Sequence, residues 1–155
     1  MDILLVDDEK DCLDDIVAAL EPTGYNCKST TNPINAIEMY KQQKSDVVIS
    51  DIRMPEMNGI DLLKKIKEID SSSRVIIITA YGDLETAKEA INNKAYAFFG
   101  KPINFEELIS ILRDIEKEIS NNYNVFVDYE KLKEENKKLK ETYNELIEMI
   151  KTFKK

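Results

Sequence analysis

The sequence Val47-Val48-Ile49-Ser50-Asp51, followed by Ile52-Arg53-Met54-Pro55, decides the fold of this chain. The apolar run 47–49 is typical of a strand that is buried on both faces, as in a parallel sheet. Asp51 stands where this run ends, and Pro55 prevents a simple continuation of the strand. Because ligands of open α/β sheets bind beyond the carboxyl ends of the strands, Asp51 is a candidate nucleophile or metal ligand. Taken alone, the segment favours the simpler interpretation, in which a polar residue only ends a strand.

Short apolar runs and helical periodicity alternate along the first 120 residues. Besides 47–50, the runs that predict strands are 3–6, 27–30, 75–78 and 95–99. A helix is predicted after each strand, with start signals at Asn32-Pro33, Gly59, Asp83 and Asn104. Five such alternations predict a parallel sheet with right-handed crossovers, whose strand ends all lie at one edge. That edge gathers Asp7-Asp8, Asp51, Thr79 and Lys101.

The charge of the chain limits its partners. The net charge is −8, and residues 130–155 contribute +2 through eight Lys and six Glu, so residues 1–129 carry −10. An acidic chain of this kind argues against a broad nucleic-acid surface and against attraction to anionic lipid. Hydrophobic residues make up 43%, which predicts a packed core.

Other compositional features exclude several classes of site. The chain has no histidine, which removes histidine acid–base catalysis and histidine metal ligands, and its glycines form neither GxGxxG nor a Walker loop. No apolar run approaches the roughly 20 residues that a membrane helix needs. The run 3–6 already predicts a strand, so no secretory signal is expected. Cys12 and Cys27 form no CxxC pair, so a reduced, cytoplasmic setting is the default expectation.

The residues at the predicted sheet edge suit phosphoryl chemistry. Asp7, Asp8 and Asp51 would repel one another, and a hard cation such as Mg2+ would relieve that repulsion. Lys101 would add positive charge, and Thr79 would add a hydroxyl donor. A carboxylate could then attack phosphorus, while Mg2+ and lysine stabilise charge on the equatorial oxygens.

At these residues the chain resembles the receiver domain of bacterial two-component response regulators, which has the chemotaxis-regulator-like fold. The matching residues are Leu4-Leu5-Val6-Asp7-Asp8-Glu9, Asp51-Ile52-Arg53-Met54-Pro55 with Asn58-Gly59, Thr79-Ala80 and Lys101-Pro102. Their order, spacing and strand-end placement make the joint match specific over about residues 1–120. The resemblance implies a doubly wound, flavodoxin-like α/β fold: five parallel strands in the order 2-1-3-4-5 and five helices, to which this chain adds a C-terminal α-helix.

The resemblance also implies a phosphoacceptor and a metal site. Asp51 would accept a phosphoryl group from the phosphohistidine of a sensor histidine kinase. Asp7 and Asp8 would hold Mg2+, joined by Asp51 and by the backbone carbonyl of Arg53. Such a module is expected not to be an enzyme, apart from its own dephosphorylation.

Further roles implied by the resemblance lie on the last two strands. Thr79 and Lys101 would bind the phosphoryl oxygens, and the Lys101-Pro102 peptide bond would be cis. Phe98 would be the aromatic switch, in place of the frequent tyrosine, and it cannot donate a hydroxyl hydrogen bond. Lys94 stands where the family usually has glycine.

The C-terminal part of the sequence predicts a coiled coil. Mostly apolar residues recur there at alternating intervals of four and three positions, which is the pattern of a heptad seam. The seam residues are Leu132, Asn136, Leu139, Tyr143, Leu146, Ile150 and Phe153. Asn136 at an a position favours a parallel dimer, in which Glu135 at g would face Lys140 at e of the partner. We therefore predict a receiver at 1–120, a linker at 121–129 that begins with a turn at 121–124, and a homodimeric coiled coil at 130–155. A helix folded back on the receiver, or a larger bundle, stays open as an alternative.

The leading functional hypothesis is a signalling module that switches its association through the surface 83–119 and the coiled coil. Alternatives are the N-terminal part of a larger regulator or of a receiver-linked kinase, and a coiled-coil adaptor with a degenerate receiver. An aspartyl-phosphate hydrolase of the haloacid dehalogenase type is disfavoured, because Arg53 stands where such enzymes need a second aspartate. An EF-hand is rejected, because Asp7 opens no loop with the central glycine.

Overall fold

The computed structural model describes residues 1–80 and 84–153, except for the side chains of residues 146 and 149–153. The strands are β1 (Asp2–Val6), β2 (Asn26–Thr30), β3 (Val47–Asp51), β4 (Arg74–Thr79) and β5 (Ala97–Gly100). They form one parallel sheet in the order β2-β1-β3-β4-β5. The predicted fold class and strand order are therefore confirmed, and each strand boundary lies within two residues of its prediction.

Burial follows position in the sheet. All five residues of the central strand β3 are buried, and β1 and β4 are buried after their first residue. The edge strand β2 has no buried residue. This pattern explains the unbroken β-branched runs in the sequence, because helices cover both faces of the central strands of such a sheet. The ends of β1 and β3 lie beside one another within the buried centre of the sheet.

Four helices connect the strands: α1 (Lys10–Leu20), α2 (Pro33–Gln42), α3 (Gly59–Ile69) and α4 (Leu84–Asn92). The predicted N-cap of α2 is confirmed, since the Asn32 side-chain oxygen accepts the N–H groups of Ile34 and Asn35. Asn58 caps α3 by accepting the N–H of Asp61. Asp83, the predicted start of α4, lies outside the described residues.

Helix α4 ends in a Schellman motif. The N–H of Lys94 bonds to the carbonyl of Ile91, and the N–H of Ala95 bonds to the carbonyl of Ala90. Lys94 has φ +62°, the left-handed conformation that this motif requires. The family's usual glycine at this position is therefore explained by backbone geometry, and Lys94 adopts the same conformation at a steric cost.

The fifth helix, α5, runs without interruption from Phe105 to Phe153. The turn predicted at 121–124, and with it the interruption expected at 121–129, is therefore wrong. Asparagines are only weakly unfavourable in a helix, and α5 contains neither Gly nor Pro. Met1–Ser110 and Ile111–Lys155 form two compact units, and the domain limit near residue 120 stays a prediction. Within the described ranges, no helix is both long and apolar enough to cross a membrane.

Candidate phosphoryl-transfer site

Register between neighbouring strands brings three predicted site residues together. Val6 pairs with Ser50, so Asp7 and Asp51 both leave the sheet at the same edge. On the other side of β4, Thr79 pairs with Gly100, which places Lys101 at that edge as well. Parallel pairing thus brings together residues that are far apart in the sequence.

The Lys101 ammonium bridges the two carboxylates. Its Nζ lies 2.8 Å from Asp7 Oδ2 and 3.0 Å from Asp51 Oδ1. Asp7 is only 3% exposed and Asp51 only 7%. The second oxygen of each carboxylate accepts a main-chain N–H: that of Glu9 for Asp7, at 2.9 Å, and that of Arg53 for Asp51, at 2.6 Å. Every oxygen of these two carboxylates is therefore held in place by a donor.

The protonation equilibria reflect this arrangement. Burial raises the pKa of the Asp51 carboxyl; the hydrogen bond and charge of Lys101 oppose the rise, and the charge of Asp7 adds to it. Burial lowers the pKa of the Lys101 ammonium, but its hydrogen bonds and ion pairs with both aspartates outweigh burial and raise that pKa above its usual range. Lys101 consequently stays charged, and it is the group that keeps a buried carboxylate tolerable.

The remaining predicted residues surround this cluster. Thr79 is buried, and its main-chain carbonyl accepts the N–H of Lys101 at 2.8 Å. The peptide bond between Lys101 and Pro102 is cis. Phe98 is half-buried and packs against the main hydrophobic core. Asp8 is exposed and does not join the buried pair.

The donor set fits a magnesium ion. Mg2+ takes carboxylate oxygens, usually from only one or two carboxylates, and keeps several waters. Asp7 and Asp51 supply buried oxygens that face one cation already, and exposed Asp8 follows Asp7 directly. Within residues 1–80 and 84–153, no cluster of three or more acidic, cysteine or histidine side chains has metal-binding geometry. The Arg53 contact in the structure is made by its N–H group, so the role of its carbonyl stays a prediction.

Two features of the site were not predicted from the sequence. The N–H of Gly59 donates to the carbonyl of Ile52 at 2.8 Å, and a Cβ at Gly59 would overlap the main-chain carbonyl of Asp51. Only glycine therefore lets α3 approach the end of β3. The second feature is the protonation state of the Cys12 thiol, a helix residue that was expected near the site: burial and a hydrogen bond with Asp7 raise the pKa of this thiol to about 11, so it stays protonated at neutral pH.

Comparison with known proteins agrees with this geometry. The response regulator receiver domain model matches residues 3–113, and the chain belongs to that family. The chain is 36% identical over 125 residues to the transcriptional regulatory protein ZraR of Escherichia coli (strain K12), covering 81% of this chain and 28% of ZraR. It is 34% identical over 106 residues to the sporulation initiation phosphotransferase F of Bacillus subtilis (strain 168), covering 68% of this chain and 86% of that protein.

Solved structures show the same similarity. The solution structure of the beryllofluoride-activated NtrC4 receiver domain dimer matches with a TM-score of 0.72 and 32% identity, covering 76% of this chain and 97% of that one. The signal receiver domain of a putative Luxo repressor protein from Vibrio parahaemolyticus matches with a TM-score of 0.75 and 27% identity, covering 80% and 95%. The chain spans about a quarter of the length of the ZraR proteins it matches.

Family membership establishes the general function. The chain is a phosphoacceptor receiver of two-component signalling, a system in which a histidine kinase is the phosphodonor. Receiver domains are in general signalling modules rather than enzymes, and they bind Mg2+ at the phosphorylation site. A receiver that forms part of a larger regulator is also compatible with these similarities.

Proposed function

We propose that Asp51 is the phosphoacceptor of this receiver. The observation that carries the proposal is the placement of its carboxylate, buried at the end of β3 and held by Lys101 and by the N–H of Arg53. A carboxylate oxygen of Asp51 forms a bond to phosphorus while the bond from phosphorus to the kinase imidazole nitrogen breaks. The imidazole nitrogen keeps that electron pair, so no external acid or oxidant is needed.

The surrounding residues have separate roles in this proposal. Asp7, Asp8, Asp51 and the carbonyl of Arg53 would hold Mg2+, which when bound neutralises charge on the transferring group. Lys101, already within 3.0 Å of Asp51, would move its hydrogen bond to a phosphoryl oxygen. The Thr79 hydroxyl would bind a second phosphoryl oxygen, and Phe98 would change position as the switch.

We further propose that the output is association between copies of the chain. Residues 1–120 act as the receiver, and residues 130–155 act as a parallel dimeric coiled coil. Leu132, Leu139 and Tyr143, three of the predicted seam residues, are exposed; the side chains of Leu146, Ile150 and Phe153 lie outside the described set. Phosphorylation would then change packing through the surface 83–119, of which Asp83 is not described.

Phosphoryl uptake from acetyl phosphate tests the acceptor. Intact-protein mass spectrometry should show one added phosphoryl group only when Mg2+ is present, and none in Asp51→Asn. Asp61→Asn is the matched control, because Asp61 is a half-exposed acid on α3. The chain lacks histidine, so a hydroxylamine-sensitive adduct identifies an acyl phosphate. Equal incorporation in Asp51→Asn and in the unchanged protein would refute the assignment.

A further inference from the structure

The apolar seam of α5 begins earlier than the sequence predicted. Because the helix is continuous through 121–129, the heptad register of the later seam extends back into that segment. Tyr129 then takes an a position and Val125 a d position, and both are exposed, at 61% and 68%. The preceding a and d positions are polar, Asn122 and Glu118. The seam therefore starts at Val125.

This extension changes the strength of the coiled-coil signal. From Leu132 to Phe153 the seam spans barely over three heptads, whereas from Val125 to Phe153 it spans just over four. Sustained heptads with charged flanking positions are what distinguish a coiled coil from an ordinary amphipathic helix. A large exposed apolar stripe on a helix also marks an association surface.

The flanking charges specify the orientation of the partner. In a parallel pair, each g residue faces the e residue five positions later on the other helix. Asp128 and Glu135 occupy g, whereas Lys133 and Lys140 occupy e. A parallel pair therefore matches acid with base at both levels. An antiparallel pair would place lysine near lysine and acid near acid.

The surface of α5 also has a depression at the predicted seam. A shallow hollow is lined by Asn136, Leu139, Lys140 and Tyr143. These residues occupy an a, a d, an e and the next a position, the four that surround a d-position side chain in parallel knobs-into-holes packing. Leu139 of an in-register second copy fits this hollow. Asn136 at present donates to the carbonyl of Leu132 at 3.0 Å and can exchange that bond for the facing asparagine.

From these observations we propose that the occupant of this stripe is a second copy of the chain. The two helices lie parallel and in register from Val125, and the pairs Asp128–Lys133 and Glu135–Lys140 form between copies. The inference rests on the proposed association output and deepens it. It assigns the segment 125–129, predicted to be a linker, to the dimer interface.

Disulfide trapping in the full chain tests the register. In a Cys12→Ser/Cys27→Ser background, Val125→Cys should form a dimer under mild oxidation as completely as Leu139→Cys does. Val127→Cys is the matched control: Val127 is also exposed, but its f position points away from the seam. We expect Val127→Cys to cross-link at least about tenfold more slowly.

Charge reversal tests the partner. Asp128→Lys/Glu135→Lys and Lys133→Glu/Lys140→Glu should each weaken self-association by at least about tenfold, and a mixture of the two variants should restore a dimer in sedimentation experiments. Cross-linking through residue 139 but not through residue 125 would overturn the extended seam while leaving the dimer intact. A monomer at tens of micromolar would overturn the dimer itself, and the Asp51 assignment would stand or fall separately on phosphoryl uptake.

Discussion

Replacing Lys101 with methionine should destabilise the protein by about 3–5 kcal/mol in magnesium-free buffer, the usual cost of removing one partner from a buried ion pair. Lys101 is the cation that touches both Asp7 and Asp51, at 2.8 and 3.0 Å. Those carboxylate side chains are 4% and 7% exposed. Without the ammonium, two buried negative charges face each other with no cation between them, held by the main-chain N–H groups of Glu9 and Arg53 and by the Cys12 thiol.

A second lysine provides a control with the same bond length. Lys44 Nζ lies 2.8 Å from Asp70 Oδ2, but these side chains are 60% and 20% exposed. An exposed pair contributes about 0.2–1 kcal/mol, so Lys44→Met should cost no more than that. Lys101 contacts two carboxylates and Lys44 one, so the difference between the two lysine variants measures the combined effect of burial and of the second carboxylate at constant substitution.

Urea denaturation at one fixed protein concentration gives the free energies, provided that the slope m stays unchanged. Combining Lys101→Met with Asp51→Asn removes one of the two stranded charges. The loss in free energy of unfolding should be about 1.5–3 kcal/mol smaller in the double variant than the sum of the losses in the two single variants. Added Mg2+ should restore part of the loss in Lys101→Met by binding the folded state. Equal losses in Lys101→Met and Lys44→Met would refute this reasoning.

Three further predictions concern the backbone and a surface carboxylate. Gly59→Ala should destabilise the protein by about 1–3 kcal/mol, because the added methyl would overlap the main chain at the end of β3. The control Gly100→Ala places its methyl in open space and should change stability by less than about 0.5 kcal/mol. Equal effects of the two substitutions would argue against the overlap. Lys94→Gly should stabilise by about 0.5–1 kcal/mol, since φ is +62°, and a loss in urea stability would contradict this. The hydrogen bond from Lys44 holds the pKa of Asp70 down to about 2. In the unfolded chain the pKa of the Asp70 carboxyl is about 3.9. The ionised carboxylate therefore stabilises the fold above about pH 4, and this stabilisation is lost as the pH falls toward 2. Between about pH 5 and 2, the free energy of unfolding of the unchanged protein should fall by roughly 1 kcal/mol more than that of Asp70→Asn. Parallel plots of the free energy of unfolding against pH for the two proteins would disprove this prediction.

The sequence was sufficient to predict where Asp7, Asp51 and Lys101 converge. Each follows a strand, and parallel pairing places every strand end at one edge. The bridging contact itself was not predictable. It depends on where a long, flexible lysine side chain comes to lie relative to residues 94 and 50 positions away in the sequence. The exposure of Asp8 was not predictable either, because the side chains of neighbouring residues point in different directions at a strand end.

The course of α5 was mispredicted for an energetic reason. Asn121 and Asn122 favour turns, yet each costs only a fraction of a kcal/mol within a helix. Once a helix is nucleated, propagation adds a hydrogen bond for each residue fixed, so two asparagines without Gly or Pro do not end it. The close approach at Gly59 was hidden for a different reason: the sequence contains the glycine but does not show which atom its missing side chain would meet.

The ion cluster at the sheet edge is better explained by chemistry than by stability. Replacing a buried ion pair with well-packed apolar side chains is often neutral or stabilising, so Asp7, Asp51 and Lys101 are a costly way to fill this space. With the carboxylates ionised, Asp7, Asp51 and half-buried Lys101 carry a net charge of −1, and the proposed magnesium ligand Asp8 makes it −2. A divalent cation would neutralise this charge, and an incoming phosphoryl group would then no longer meet repulsion. A site with fewer positive charges than carboxylates therefore favours a cation first and an anion only afterwards. That order is the one expected of a receiver that accepts phosphoryl groups only when Mg2+ is present.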